Sequence, residues 1–155
     1  MNMHSPETLK LPIIDANLEN IAPYGQLLGA DSDVSANMSD FYEGAVTVTS
    51  PVNFKSDNET CLSLANIQPR PFEITYLERH FKHTQTFIPL SGKPFIAVLG
   101  KPNKEELPEI DKLQAFRFDG HAGFTMHIGT WHEFPFAIEK DTNVVVILRD
   151  ETTKN

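Results

Sequence analysis

The chain has one cysteine, one tryptophan, and only 13 lysines and arginines against 21 aspartates and glutamates in 155 residues. A lone cysteine, Cys61, excludes an internal disulfide framework, and no CxxC pair is present to seed a thiolate zinc site. Cys61 falls in the apolar run Cys61-Leu62-Ser63-Leu64, which predicts a buried structural thiol. The formal net charge of −8 argues against a nucleic-acid partner, which would demand a basic patch. No apolar run approaches the ~20 residues of a membrane-spanning helix. No basic segment followed by an apolar stretch opens the chain, so a secretory signal is not expected. There is also no G-x-S-x-G elbow, P-loop or dinucleotide fingerprint, and no organic cofactor is expected. What remains is a soluble, cytoplasmic type of protein. Its partner would be a small molecule, anions included, because a local site can oppose the global charge.

With 40% hydrophobic residues, 155 positions suffice for one domain with a real core. The expectation is a single domain over 1–155, with a loose arm at 1–12 and a frayed tail at 150–155. Asp15 to Ala22 can form a short helix, with Asp15 as N-cap and Pro23 and Gly25 ending it. Residues 30–40, rich in Asp, Ser and Asn, read as a loop. Short apolar alternations then place strands near 25–29, 41–49, 60–67, 72–80, 84–90, 94–100, 113–118, 122–127, 131–139 and 143–149. Pro102 to Pro108 reads as a charged connection with room for one helical turn. Many short strands, almost no helix and 11 prolines predict an all-β sandwich or barrel. Val144 to Leu148 is apolar on both faces. That strand should be covered within by the second sheet and without by a helix or a second subunit.

The stretch Glu78-Arg79-His80-Phe81-Lys82-His83-Thr84-Gln85, with Gly92 seven residues on, stands out against this pattern. In a strand, residues two apart share a side, so Glu78 and His80 join Ile74 and Tyr76. Thr75, Leu77 and Arg79 take the other side. A carboxylate and an imidazole facing an apolar interior are costly unless paired or bound to a metal. A second segment, His127-Ile128-Gly129-Thr130-Trp131-His132, places His132 in the same parity as Phe134, Phe136 and Ile138, hence inward. Three polar groups converging on one interior make a ligand or metal pocket. His83 and His121 read as solvated turn residues, and His4 belongs to the arm. Trp131, Phe134 and Phe136 read as core aromatics.

The two segments, Glu78-x-His80-x4-Gln85-x6-Gly92 and His127-x-Gly129-x-x-His132, resemble the two motifs of the cupin barrels in spacing. Several letters differ: Glu78 stands where a histidine is expected, Gln85 where a glutamate is, and Phe72 where a glycine is. The resemblance implies a double-stranded β-helix, a jelly-roll barrel. Within that superfamily, Leu77 to His80 and Thr84 to Gly92 look like the ureidoglycolate lyases. So do Ala22-Pro23-Tyr24-Gly25, Gln68-Pro69 and Gly129-Thr130-Trp131-His132, in the same order along the chain. Family members carry an Asn-x-Gly and an arginine in the segment matching 36–45, another arginine near Asn66, and a second histidine where this chain has Glu133. Arginine grips carboxylates bidentately, so these departures bear on the substrate.

The resemblance implies an amidine-type carbon–nitrogen lyase of allantoin and purine nitrogen breakdown, releasing glyoxylate and urea from ureidoglycolate, or the same scaffold acting on a related small hydroxy acid. Such a site needs a base, an acid and an anion anchor. Glu78, His80 and His132 are the candidate acid–base set. The same three, with Gln85 as a weak fourth, are candidate ligands for a divalent metal such as nickel, manganese or zinc. Gln85 and His127 are candidate substrate contacts, and Lys93 and Arg79 candidate anchors. Arg79 has the wrong strand parity unless a bulge re-aims it. Two further readings compete: a non-catalytic ligand-binding cupin, and a metal-dependent cupin isomerase or dioxygenase. A homodimer is expected from the apolar strand at 144–148 and the exposed edges of a short barrel.

Overall fold

The computed structural model describes residues 11–29 and 38–150. Most of the expected arm, most of the loop expected at 30–40, the tail beyond 150 and His4 lie outside the described residues; of that loop, Ser39 and Asp40 instead open a strand. Twelve strands run in chain order: β1 (Ile13–Asp15), β2 (Gly25–Gly29), β3 (Ser39–Phe41), β4 (Val46–Val48), β5 (Thr60–Ile67), β6 (Gln85–Pro89), β7 (Phe95–Gly100), β8 (Gln114–Phe118), β9 (Ala122–Met126), β10 (Trp131–His132), β11 (Phe136–Ala137) and β12 (Thr142–Arg149). Among the described residues the one α-helix, α1, is the single turn Leu18–Ile21. Its N-cap is Asn17, not Asp15. Asn17 and Asn20 exchange side-chain and backbone hydrogen bonds of 2.8 Å, whereas the Asp15 carbonyl only accepts from the Asn20 amide. Asn in both positions closes a reciprocal capping box, which Asp15 is too far upstream to do.

Two five-stranded sheets build the body, one ordered β2-β9-β6-β12-β5 and the other β1-β8-β7-β10, with β11 also on β7. The all-β jelly-roll barrel expected of the cupin class is what forms. Strand alternation sets its layers. Along β7, Phe95, Ala97 and Leu99 enter the main core with Phe116, Phe118, Phe124, Phe87 and Val144. Val98, between them, points the other way into a second cluster with Leu77, Leu113, Ala115, Trp131 and Phe136. The polypeptide around Leu77 therefore packs on the outside of the second sheet before it reaches the barrel mouth.

Several expected strands are shorter or broken. The stretch 41–49 is a hairpin turn and half of its ladder, since Ser39–Phe41 pairs with Val46–Val48. Tyr42, Glu43 and Gly44 all have positive φ in the turn between them, which reverses the chain. The run 131–139 splits into β10 and β11, with buried Pro135 at the break. Residues 72–80 do not form a ladder. Thr75 and Tyr76 donate their backbone N–H groups to Oε2 of Glu133, at 3.2 and 2.9 Å. A carboxylate takes the bonds that a neighbouring strand would have taken, so the parity fails upstream. Ile74 packs on the Leu77 cluster and Tyr76 is exposed. The stretch from Pro102 to Pro108 contains no helical turn; one 3-10 turn follows at Ile110–Lys112.

On β12, Val144, Val146 and Leu148 are buried while Val145 and Ile147 are only half-buried. Their cross-strand partners on the edge strand β5, Leu64 and Leu62, are 63% and 71% exposed. The inner face is thus covered as expected, and no described helix covers the outer one. Cys61 is half-buried on the same edge strand, 3.7 Å from the Ser63 hydroxyl, rather than in the core.

Candidate active site

The site is assembled by one backbone pairing. Glu78 and His132 form an antiparallel bridge and exchange both backbone hydrogen bonds, each 2.9 Å. Directly opposed residues project to the same side, so the carboxylate and the imidazole are delivered side by side. The turn His127-Ile128-Gly129-Thr130 sets the register. Thr130 donates to the His127 carbonyl, and Gly129 sits at φ +87°, the conformation that a turn of this type reserves for glycine. Gly129 then donates to the carbonyl of His80 at 2.8 Å. The G-x-x-H spacing therefore has a mechanical meaning: glycine anchors the turn on His80, and three residues later His132 lies across from Glu78.

Three ring and carboxylate atoms converge. Glu78 Oε1 is 3.6 Å from His132 Nε2 and 3.8 Å from His80 Nε2. The His80 and His132 rings lie 5.2 Å apart. His132 is 3% exposed, and its Nδ1 lies 3.1 Å from the Thr130 carbonyl. That bond places the ring proton on Nδ1 and turns the Nε2 lone pair into the site. Among the described residues, three buried side-chain atoms lack a hydrogen-bond partner: His80 Nε2, His132 Nε2 and Gln85 Oε1. All three belong to this site. Buried polar atoms in a folded protein are nearly always paired, so these are built to receive something.

The electrostatics agree. His132 first, by direct contact, and then the charges of His132 and His80 hold the Glu78 carboxyl below the usual carboxylate range, against the cost of burial. His80 is pushed down to about 4, chiefly by burial and then by repulsion from His132, with Glu78 pulling the other way. At neutral pH the site presents a carboxylate and a neutral His80, with no proton donor between them. Such a cluster fits a divalent cation. The ligand atoms of Glu78, His80 and His132 lie within 4.8 Å of one another, and carboxylate plus imidazole is a ligand set that zinc, nickel and manganese all accept.

Two cavities meet at Glu78 and His80 and share no other lining residue. One, of about 370 Å³, is walled by Tyr76, Arg79, Phe81, Lys82, His83 and Arg149. The other, of about 290 Å³, is largely apolar, with Ala65, Phe134, Val146 and Leu148 around Gln85.

The remaining candidates part company here. Arg79 lines the first cavity, but its guanidinium donates to the Asn103 side chain and carbonyl and to the Glu105 carbonyl, and lies 4.1 Å over the Trp131 ring. It braces the Leu77 cluster through Trp131. Lys93 donates to the carbonyls of Lys140 and Asp141, at the opposite end of β12. His127 Nε2 lies 2.9 Å from the Ala22 carbonyl, and the ring borders cavities beside Gln26, not the Glu78 site. His83, read as solvated, is 4% exposed and stacks on His80 at 4.5 Å. The turn it occupies folds under His80, and its Nδ1 hydrogen-bonds to the Thr84 carbonyl. Phe134, read as core, is 42% exposed and borders the second cavity, whereas Trp131 and Phe136 are core. Sequence reasoning missed Glu133. Its carboxylate is buried and holds the Glu78 segment through Thr75 and Tyr76. An acid next to an inward histidine in an apolar run was the available signal.

The ureidoglycolate lyase family profile matches residues 8–155. The chain belongs to the ureidoglycolate lyase family. A ureidoglycolate lyase of Pseudomonas savastanoi pv. phaseolicola is 32% identical over 94% of this chain and 86% of its own length. One of Escherichia coli O1:K1 is 27% identical over 91% of this chain and 88% of its own. Among solved structures, a dTDP sugar isomerase of Desulfovibrio desulfuricans G20 is 19% identical, with a TM-score of 0.41 over 82% of this chain and 77% of that one. The Glu78–His132 cluster is therefore the candidate centre of a ureidoglycolate lyase family member.

Proposed function

We propose that the protein cleaves ureidoglycolate to glyoxylate and urea, and that Glu78, His80 and His132 do the chemistry. The observation that carries this reading is the convergence of Glu78 Oε1 with two buried, unpartnered imidazole Nε2 atoms, in a chain of this family. Family membership favours it over a binding-only cupin or an isomerase or dioxygenase.

The substrate carbon carries a hydroxyl, a carboxylate and a urea nitrogen. A base removes the hydroxyl proton, the electron pair forms the carbonyl, the C–N bond breaks, and its nitrogen leaves protonated. No oxidation takes place. His132 Nε2 and Glu78 Oε1 are placed to take the hydroxyl proton. His80, held neutral by burial, brings no proton of its own. The proton that leaves with urea is then the one removed from the hydroxyl, passed across the cluster. Gln85, through its unpartnered Oε1, orients the ureido N–H groups. A divalent metal would be held by Glu78, His80 and His132, with Gln85 as a weak fourth ligand, and would lower the hydroxyl pKa.

Glyoxylate release from racemic ureidoglycolate, measured on chelator-treated protein with and without nickel or manganese, tests this reading. Turnover is expected. Its metal dependence decides whether the three residues hold an ion or carry the proton themselves. A folded protein without turnover in either condition sinks it.

The acidic chain with one cysteine supports a cytoplasmic place for this reaction, and no described helix is long and apolar enough to cross a membrane. Exposed Leu62 and Leu64 beside Val145 and Ile147 support pairing with a second copy. Light scattering at micromolar concentration should give twice the chain mass; a monomer contradicts it.

A further inference from the structure

The two cavities that meet at Glu78 and His80 differ in one respect that fixes how a substrate lies. All the lysine and arginine side chains bordering either of them border the first. Of those three, Arg79 is committed to Asn103, Glu105 and Trp131. Arg149 forms an ion pair through Nε with Asp57, so an acidic group already answers part of its charge. Lys82 is exposed, and no ion pair among the described residues includes it. Its place is nonetheless fixed: Asp57 donates to its carbonyl, and the adjacent His83 is bridged to Ser56.

Resting on the lyase reading above, we propose that Lys82, backed by Arg149, is the anchor for the substrate carboxylate. The substrate then lies across Glu78 and His80, with its carboxylate toward Lys82 and its ureido end toward Gln85. Three physical points converge on that orientation. The Glu78 carboxylate repels a second carboxylate and drives it outward. The second cavity offers apolar walls and an unpartnered acceptor, Gln85 Oε1, which would repel a carboxylate and welcome an amide N–H. Lys82 supplies a mobile point charge with three donors, suited to an anion held at a solvated mouth.

Inhibition by the two products separates the two ends. In Lys82→Gln, KM for ureidoglycolate and the inhibition constant of glyoxylate should each rise about tenfold, the effect of losing one charge-assisted bond. The inhibition constant of urea and kcat should hold. Lys82→Arg should recover most of the loss. Gln85→Leu should weaken urea inhibition and spare glyoxylate. Unchanged glyoxylate inhibition in Lys82→Gln, or an equal loss for both products, overturns the proposal. Should wild type not turn over ureidoglycolate, the lyase reading fails by itself. Calorimetric titration of glyoxylate then decides: binding by wild type and its loss in Lys82→Gln sustains the anchor, and no binding or equal binding refutes it.

Discussion

The two ends of strand β12 carry polar clusters of opposite character. At its start, Asn66, Gln68, Asp141 and Asn143 form an exposed mesh. Asn66 donates to Asn143 and Asp141, Gln68 donates to Asn66 and Asp141, and Lys93 closes on the carbonyls beside them. Hydrogen bonds from Gln68 first, then Asn66, hold the Asp141 carboxyl below its usual range. At the other end His80, Gln85 and His132 are buried deeper and each has an atom with no partner. Both clusters contain carboxylates and amides, so composition does not separate them. Satisfaction does. The first is a lock for the chain reversal at Asp141, which sits at φ +54°. The second holds its capacity in reserve, which costs folding energy and makes sense only if an occupant takes it up.

Substitutions should break this contrast in order of size. His132→Ala should lower kcat by ~100-fold or more with the fold retained, the loss of an acid–base group; near-normal turnover removes His132 from the mechanism. Glu133→Gln should destabilise by about 2 kcal/mol in denaturant titration, because two charge-assisted backbone bonds weaken at once. Its kcat should fall too, since the Glu78 segment hangs from those bonds. A stability change within error would show that the carboxylate is not what holds Thr75 and Tyr76.

Acid should reach the site end first, because His80 titrates above the depressed carboxyl of Asp141. His80 sits near 4 when folded, below the 6.5 of a free histidine, so the unfolded chain takes up the proton first as pH falls. With chelator present, the melting temperature should be level above about pH 6.5 and decline between 6.5 and 4. The depressed Glu78 carboxyl adds a further loss below its ordinary range. His80→Asn should make the first decline shallower, the remainder belonging to His83, which burial also holds below its ordinary value; an unchanged slope would assign it elsewhere. The smallest effect belongs to the mesh. Asp141→Asn should leave kcat and KM where they are, and a large change in either would mean that the two ends communicate.

What the sequence discloses about this site is whatever depends on local spacing. Glu78 and His80 two apart, and Gly129 three before His132, are relations that one bridge and one turn convert directly into geometry. What it conceals is set by distant partners. The parity from Ile74 to Glu78 breaks because Glu133, far along the chain, supplies a side-chain oxygen in place of a strand. His83 reads as a turn residue and becomes a floor for His80 because the turn folds inward over Ser56 and Lys55. Arg79 has the parity of an outward residue, but its destination is the Trp131 ring, which alternation alone does not name. The all-β class was legible because short apolar alternations punctuated by turn residues and 11 prolines leave little room for helix, and the barrel was what the resemblance of the two motif segments implied.

The single rung between Glu78 and His132 has a consequence for handling the protein. It joins two segments far apart in sequence with two backbone hydrogen bonds, flanked among the described residues by the bond from Gly129 to His80 and those from Thr75 and Tyr76 to Glu133 rather than by a ladder. Any occupant that binds Glu78, His80 and His132 together would rivet those segments, and only in the native state. By mass action, a bound occupant at 100 times its dissociation constant adds ~2.7 kcal/mol to apparent stability. Preparations that differ in what they carry away from the cell will therefore differ in melting temperature, and amide exchange at Glu78 and His132 will slow most when the rivet is in place.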